Sequence, residues 1–348
     1  ATGGELAAAV AAGFPMHRVY FHGNNKSMAE IEAGLDSDIG HFVIDSFEEI
    51  ERLETAAAAR GRARDVLVRV TPGGRPNTHD FVQTGQQDSK FGLGLADGRA
   101  DEAVRRIHDC AHVRLIGVHA HIGSQIFELD SYRREVEVLF VAIDNWRRDF
   151  GFACQVVNIG GGLGIRYTSA DMPSSIAEFA EVSVNALHDG AVRHGMEVPK
   201  LLVEPGRSIV GKAAVTAYTV GTVKVIPGVR TYVAVDGGMS DNLRPMLYGS
   251  RYEAMIANKA EVAATDVVTI AGKHCESGDV LVRDVHIAPP APGDILVTPS
   301  TGAYGYAMAN NYNAQPRPAV IMVRDGEARV IIERETWEDL LRLQRPLT

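Results

Sequence analysis

The chain has 348 residues, a formal net charge of -9, and 45% hydrophobic against 23% charged side chains. That length holds roughly two domains of ~100–200 residues, the composition is that of an ordinary soluble globular protein, and the acidic balance argues against a broad nucleic-acid or anionic-membrane surface. No apolar run nears the ~18 residues of a transmembrane helix. The opening Ala1-Thr2-Gly3-Gly4-Glu5-Leu6 lacks the basic region of a signal peptide. Three scattered cysteines, Cys110, Cys154 and Cys275, fit neither a disulfide framework nor a zinc site, so a reducing, cytoplasmic setting is expected.

Helical and β-type patterns then alternate to about residue 210. Glu5 to Gly13 is alanine-rich and favours helix. Arg18-Val19-Tyr20-Phe21 predicts a strand running into His22-Gly23-Asn24-Asn25-Lys26-Ser27, with Ser27 the N-cap of a helix from Met28 to Gly34. His41-Phe42-Val43-Ile44-Asp45 is a second strand. Ser46 then caps a helix from Phe47 to Ala59, with Glu49 at the capping-box position. Further strands are predicted at Val66 to Val70, Val113 to Ala120, Val156 to Ile159 and Leu201 to Val203, with helical stretches near 100–109, 130–149 and 174–194 between them. The polar, glycine-bearing insertion at 72–92 is long enough for a functional loop.

Such alternation implies a parallel sheet packed against helices, either doubly wound or closed as a (β/α)8 barrel. Asn24, Asn25, Asp45, His121, the Gly160 turn and Glu204 all follow or close strand C-termini, and they come from many strands. A barrel gathers every such end on one face, whereas an open sheet gathers only those at a switch point. The expected fold class is therefore α/β plus all-β. A TIM-type barrel occupies 1–212, with six strands counted and the first two missing, and a β-sandwich or barrel-like domain occupies 213–348. In the latter, β-type segments are predicted at Ala214 to Val225, Arg230 to Val235, Asp266 to Ala271, Asp294 to Val297, Ala319 to Val323 and Arg329 to Ile332. Pro227-Gly228 and Pro292-Gly293 punctuate them as turns.

Two glycine turns at successive strand ends carry the most specific chemistry. Gly160-Gly161-Gly162-Leu163-Gly164 reads either as a tight strand-to-helix turn or as a place where backbone amides approach a phosphate. It lacks the nucleotide P-loop form, which argues against ATP. In Val203-Glu204-Pro205-Gly206-Arg207-Ser208 a carboxylate just past a buried strand needs a cationic partner. That partner is either an arginine across the turn or a protonated pyridine nitrogen, as in pyridoxal phosphate. His119 and His121 alternate on one strand and should face the same side. His121, nearest the end and beside Gly123-Ser124-Gln125, is placed to stack on a flat cofactor while Ser124 donates to phosphate. Two histidines without a third ligand nearby make a weak metal site. In His274-Cys275-Glu276-Ser277-Gly278-Asp279 the thiol lies near two carboxylates, which raise a thiol pKa and suit a proton donor better than a redox nucleophile. Arg244-Pro245-Met246-Leu247-Tyr248 and Gly302-Ala303-Tyr304-Gly305-Tyr306 add an arginine fork and tyrosines near turns.

Together, His22-Gly23-Asn24-Asn25-Lys26-Ser27, His119 to Gln125, Gly160 to Gly164, Glu204 to Arg207, Cys275 to Asp279 and Gly302-Ala303-Tyr304 resemble the meso-diaminopimelate decarboxylases. These belong to the fold-type III pyridoxal-phosphate decarboxylases. The resemblance runs in order from residue 2 to the tail Arg334-Glu335-Thr336-Trp337-Glu338-Asp339-Leu340. It implies that His121 stacks on the pyridine ring and Glu204 pairs with its nitrogen. It places Ser124, Gly160, Gly161, Gly162, Pro205, Gly206, Arg207 and Tyr304 around the phosphate. Arg207, Arg244, Tyr248, Glu276 and Tyr304 would meet the substrate, and Cys275 would be the proton donor, reaching the other subunit of a homodimer with shared active sites. The implied reaction converts meso-2,6-diaminopimelate to L-lysine and CO2, the last step of lysine biosynthesis.

The family's Schiff-base lysine should precede Thr2-Gly3-Gly4-Glu5-Leu6, and none of the seven lysines here (positions 26, 90, 200, 212, 224, 259 and 273) stands in such a motif. The sequence therefore reads as N-terminally shortened, with little absorbance expected from covalently held coenzyme. Two alternatives remain: a related decarboxylase for ornithine, arginine or carboxynorspermidine, and a non-catalytic pyridoxal-phosphate-binding partner.

Overall fold

The computed structural model describes residues 1–73 and 89–347. They form two compact units, Ala1–Leu163 with Ser174–Pro205, and Gly164–Pro173 with Gly206–Thr348. Most of the loop expected at 72–92 lies outside the described residues.

In the first unit β1 (Tyr20–Phe21), β2 (His41–Ile44), β3 (Arg64–Thr71), β4 (Leu93–Gly94), β5 (Val113–His119), β6 (Val156–Asn158) and β7 (Lys200–Leu202) alternate with helices. The helices are α1 (Gly3–Ala11), α2 (Met28–Asp36), α3 (Phe47–Ala59), α4 (Arg99–His108), α5 (Asp130–Phe150) and α6 (Ile176–Arg193). All strand pairs are parallel, in the order β1-β2-β3-β5-β6-β7. The two-residue β4, which the sequence reading missed, pairs with the C-terminal end of β3 through Val70↔Leu93. Strands neighbouring in sequence are neighbours in space, with no reversal of order. That is the winding of a barrel; a doubly wound sheet reverses at its switch point.

The burial pattern agrees with that winding. One face packs on the helices, with Phe42, Ile44, Val66, Val68 and Val118 in a cluster that includes Leu139, Phe140, Ile143 and Trp146 of α5. The spacing of the α5 residues is that of an apolar helical stripe. Burying each such side chain contributes about 1.5–3 kcal/mol. The opposite face carries its own cluster, Val43, Leu67, Ile116 and Val156, flanked by Tyr20 and Leu202. Each strand of the sheet except the short β4 supplies one residue to this layer, as inward-facing side chains do in a barrel. A Cβ on Gly117 would sit 2.2 Å from the Val156 carbonyl oxygen, so only glycine lets β5 approach β6 there.

Local capping follows the sequence at α2, where Ser27 and Glu30 complete a capping box. At α3 it follows only in part. The Ser46 hydroxyl accepts from the Glu49 N–H at 3.3 Å, but the Glu49 carboxylate does not close the box. It turns inward to Lys26 Nζ at 2.8 Å and accepts from the Asp45 N–H at 3.1 Å. The first strand is also shorter than its apolar run, because Met16–Arg18 forms a 3-10 turn.

In the second unit β8 (Val215–Ile226), β9 (Arg230–Val235), β10 (Met255–Ile256), β11 (Asp266–Ala271), β12 (Val280–Ile287) and β13 (Ile295–Pro299) form one sheet in the order β10-β13-β8-β9-β11-β12. Every pair is antiparallel except β9 with β11. β14 (Val320–Arg324) and β15 (Glu327–Ile332) form a separate hairpin. The sequence reading missed β10 and the eight-residue β12. Arg283-Asp284 breaks the apolar run of β12, and the β11–β12 register shifts at these residues, with Asp284 at φ 50°. That bulge hides the strand's alternation. Among the described residues no helix is long and apolar enough to cross a membrane.

Candidate active site

In the first unit the strand C-termini bring a small polar cluster together. Glu204 lies just beyond β7, and its N–H donates to the Gly160 carbonyl at 2.7 Å. Its Oε1 meets three groups: His22 Nε2 at 2.8 Å, Asn158 Nδ2 at 2.8 Å and His119 Nε2 at 3.5 Å. These come from the ends of β1, β6 and β5. Burial alone would raise the Glu204 carboxyl, but the contacts with His119 and His22 outweigh it and hold the group well below the usual carboxylate range. Burial pushes His119 down to about 4, so it stands as a neutral imidazole near pH 7. Asn158 is fixed in turn, since its Oδ1 accepts from the Gly160 N–H at 2.9 Å.

His119 closes β5, so the strict alternation expected through His121 stops two residues short of it. His121 still belongs to this cluster. Its Nδ1 accepts from the Gly161 N–H at 3.3 Å, which in the neutral ring leaves the proton on Nε2. Burial lowers its pKa, and the nearby Arg69 cation adds to that. Arg69 lies 3.7 Å from Asp45 Oδ2, and Asp45 Oδ1 accepts from the Gly92 N–H at 2.7 Å.

The glycine turn is a tight backbone cradle. Gly160 and Gly162 have φ +65° and +100°, a region that favours glycine. A Cβ at Gly161 would lie 2.1 Å from the Glu204 carbonyl oxygen. Tyr132 of α5 braces the turn from behind, its OH donating to the Gly161 carbonyl at 3.1 Å. Gly161→Ala should therefore push the Glu204 segment away and cost about 1–3 kcal/mol of stability. Gly206→Ala, whose Cβ would meet nothing within 4 Å, should leave stability unchanged. Urea unfolding of the two variants makes the comparison, and equal midpoints would contradict it.

The carboxylate geometry fits the cationic nitrogen of a pyridoxal ring. Two donors at 2.8 Å, His22 and Asn158, occupy Oε1 and leave Oε2 to a cationic ring nitrogen, and the side chain is 38% exposed, so a ligand has access to it. The glycine turn is packed tightly on backbone, and its Gly160 and Gly161 N–H groups already donate to Asn158 Oδ1 and His121 Nδ1. His22, His119 and Glu204 are also the one group of His, Cys and carboxylate ligand atoms, among the described residues, within 4.8 Å of one another. His22 and the Asn158 amide both lie 2.8 Å from one Glu204 oxygen, while the buried His119 ring nitrogens have no hydrogen-bond partner among the described residues.

The second unit holds the remaining candidates. Arg207, in α7 (Gly206–Val210), donates to the Tyr167 hydroxyl and lies 4.6 Å from the Tyr304 ring, Tyr304 having φ +59°. Arg244, which opens α8 (Arg244–Tyr248), donates to Tyr252 OH at 2.6 Å and stacks 4.6 Å over Tyr167. Both arginines are nearly buried, whereas Tyr248 is 64% exposed. Cys275 is exposed, its N–H bonded to Asn313 Oδ1 at 2.9 Å. Of the two carboxylates expected beside it, Asp279 is committed elsewhere. It accepts from His274 Nδ1 at 2.7 Å and from the Met239 N–H at 2.8 Å. Glu276 accepts from the Gly278 N–H at 3.2 Å. The sequence reading gave no role to His22, Asn158, Arg69, Tyr132, Tyr167 or Tyr252. The one signal for Asn158 was a polar residue inside the apolar run Val156 to Ile159.

A singly wound parallel βα sheet with a glycine turn and a pinned carboxylate at its C-terminal edge is an arrangement suited to an enzyme of the pyridoxal type. Residues 1–211 match the family model described as the pyridoxal-binding domain of pyridoxal-dependent decarboxylases. A diaminopimelate decarboxylase of Bacillus subtilis is 49% identical over 99% of this chain and 79% of that protein. One of Mycobacterium tuberculosis is 44% identical over 99% and 79%. The crystal structure of a diaminopimelate decarboxylase from M. jannaschii in complex with L-lysine superposes with a TM-score of 0.93, at 33% identity, covering 99% of this chain and 78% of that one. The chain belongs to the pyridoxal-dependent decarboxylase family, among the diaminopimelate decarboxylases.

Proposed function

We propose that this chain is a lyase that removes CO2 from meso-2,6-diaminopimelate to give L-lysine, using pyridoxal phosphate, and that it does so in the cytoplasm as a homodimer with shared active sites. The observation that carries the reading is the Glu204 carboxylate, pinned through one oxygen beside the Gly160–Gly162 cradle. Pyridoxal phosphate, when bound, supplies an electron sink for the carbon that loses CO2.

Within this reading Glu204 keeps a ring nitrogen cationic, because its own proton is lost far below neutral pH. His121 lies against the flat ring, and its orientation is set by the Gly161 N–H. Ser124, Gly160, Gly161, Gly162, Pro205, Gly206, Arg207 and Tyr304 bind the phosphate. Arg207, Arg244, Tyr248, Glu276 and Tyr304 bind the amino-acid substrate, with Tyr167 and Tyr252 holding the two guanidinium groups flat. Cys275 returns the proton to the carbon and, with Glu276, serves the partner subunit's site. Residues 1–212 then form the coenzyme domain, and 213–348 the domain that completes the neighbouring site.

Lys26 cannot serve as a free amine for an aldehyde. Its ammonium is held by Gly23 O at 2.7 Å, Val43 O at 2.9 Å and Glu49, with the side chain 1% exposed. Borohydride reduction of the chain with pyridoxal phosphate, followed by peptide mass mapping, is expected to leave Lys26 unmodified; a reduced adduct there would contradict the assignment. The substrate is tested by CO2 release from meso-diaminopimelate against ornithine. Faster release from ornithine would favour the related decarboxylases.

A further inference from the structure

We propose that His22 is a positioning residue: by holding Glu204 through Oε1, it directs the other carboxylate oxygen toward the coenzyme's ring nitrogen. The proposal rests on the functional reading above and adds to it a residue on β1's side of the site. His22 follows β1 directly, and the pairing Tyr20↔His41, Phe21↔Phe42 sets its place at the C-terminal edge of the sheet. Its 2.8 Å approach to Glu204 is shorter than the 3.5 Å approach of His119.

The ring stands edge-on to His119, with centroids 4.7 Å apart at 66°, so each imidazole limits the other's rotation. A glutamate side chain has three torsions, and one bond leaves the carboxylate free to swing. His22 beyond β1 and Asn158 of β6, converging on one oxygen with His119 of β5 packed alongside, remove that freedom. Asn158 approaches from β6, and His119, 1% exposed, is enclosed by the sheet. His22 is 18% exposed and reaches the carboxylate from the solvent side, so it is the donor that a change can remove without opening the core. The other charged or titratable groups in the field of this cluster are Arg69 from β3 and His121 beyond β5, with Asp45 beyond β2 paired to Arg69.

The test uses His22→Phe, which keeps a ring and loses the donor, and His22→Gln, which restores an N–H. Two readouts are taken on the full chain: the Glu204 carboxyl titration by 13C NMR without coenzyme, and pyridoxal phosphate affinity by fluorescence titration from pH 6 to 9. His22→Phe is expected to raise the Glu204 titration by about one pH unit or more and to weaken coenzyme binding by about 10-fold or more. His22→Gln is expected to recover affinity to within about 3-fold of wild type, as a restored hydrogen bond to a charged group should. A His22→Phe protein that titrates and binds like wild type overturns the proposal, as does a folded His22→Gln protein as impaired as His22→Phe. A wild-type chain that binds no pyridoxal phosphate overturns the functional reading and the ring-directed part of the proposal with it. An unmoved Glu204 titration overturns the role of His22 and leaves that reading standing.

Discussion

Glu204→Gln is expected to weaken pyridoxal phosphate binding by at least about 30-fold, the low end of what truncating one partner of a buried charge pair costs. The substitution keeps the shape and removes the anion. It also turns one terminal oxygen into an amide, so a donor would face His22, Asn158 and His119, or would replace the oxygen offered to the ring. The loss should be larger at pH 8 than at pH 5. Glu204 stays ionised across that range, whereas a pyridine nitrogen keeps its proton at pH 8 only with an anion beside it. Absorbance and fluorescence titration at the two pH values make the measurement. Equal affinity for wild type and variant at pH 8 would show that the carboxylate does not face the ring.

The second large effect lies below the site. Lys26→Met should destabilise the chain by about 3–5 kcal/mol, the cost of stripping one partner from a buried ion pair. Lys26 and Glu49 are 1% and 4% exposed, and the lysine also ties Gly23 and Val43 together, so the loop carrying His22 depends on it. Burial already pushes Glu49 up to about 7, with Lys26 opposing that rise. Without the cation the folded-state pKa climbs further above the ordinary 4.5. Wild type and variant both lose stability as pH rises from 4.5, but the wild-type loss levels off near pH 7 and the variant's continues, so this part of the penalty opens above about pH 7. Urea unfolding at pH 5 and pH 8 should show the larger loss at pH 8. A Lys26→Met, Glu49→Leu double variant should recover most of it, since a well-packed apolar pair can replace a buried ionic one. A Lys26→Met protein unfolding within about 1 kcal/mol of wild type at pH 8 would refute the argument.

Much of the fold was legible because its periodicities are local. The strands at 41–45, 66–70, 113–120 and 156–159 are apolar runs between helical stripes, and β2, β3, β5 and β6 form there. β4 and β10, two residues each, hold too few side chains for a period to register. β12 was obscured by the Arg283-Asp284 bulge, which only its pairing with β11 explains. At α3 the sequence pointed to a capping box, but a buried lysine offered Glu49 a stronger partner than a backbone N–H already near solvent. Asp279 behaved likewise, turning from Cys275 to His274.

The sequence by itself determined the alternation that demands a parallel sheet, the two glycine turns, and the carboxylate that follows the second strand end. Those depend on residue type and on neighbours a few positions away. Only the tertiary structure decided which groups meet Glu204, because His22, His119 and Asn158 are 182, 85 and 46 positions from it and converge only when β1, β5 and β6 lie in register. Which oxygen they occupy, and so which one remains for a ligand, depends on ångström distances that no pattern of residues along a chain encodes.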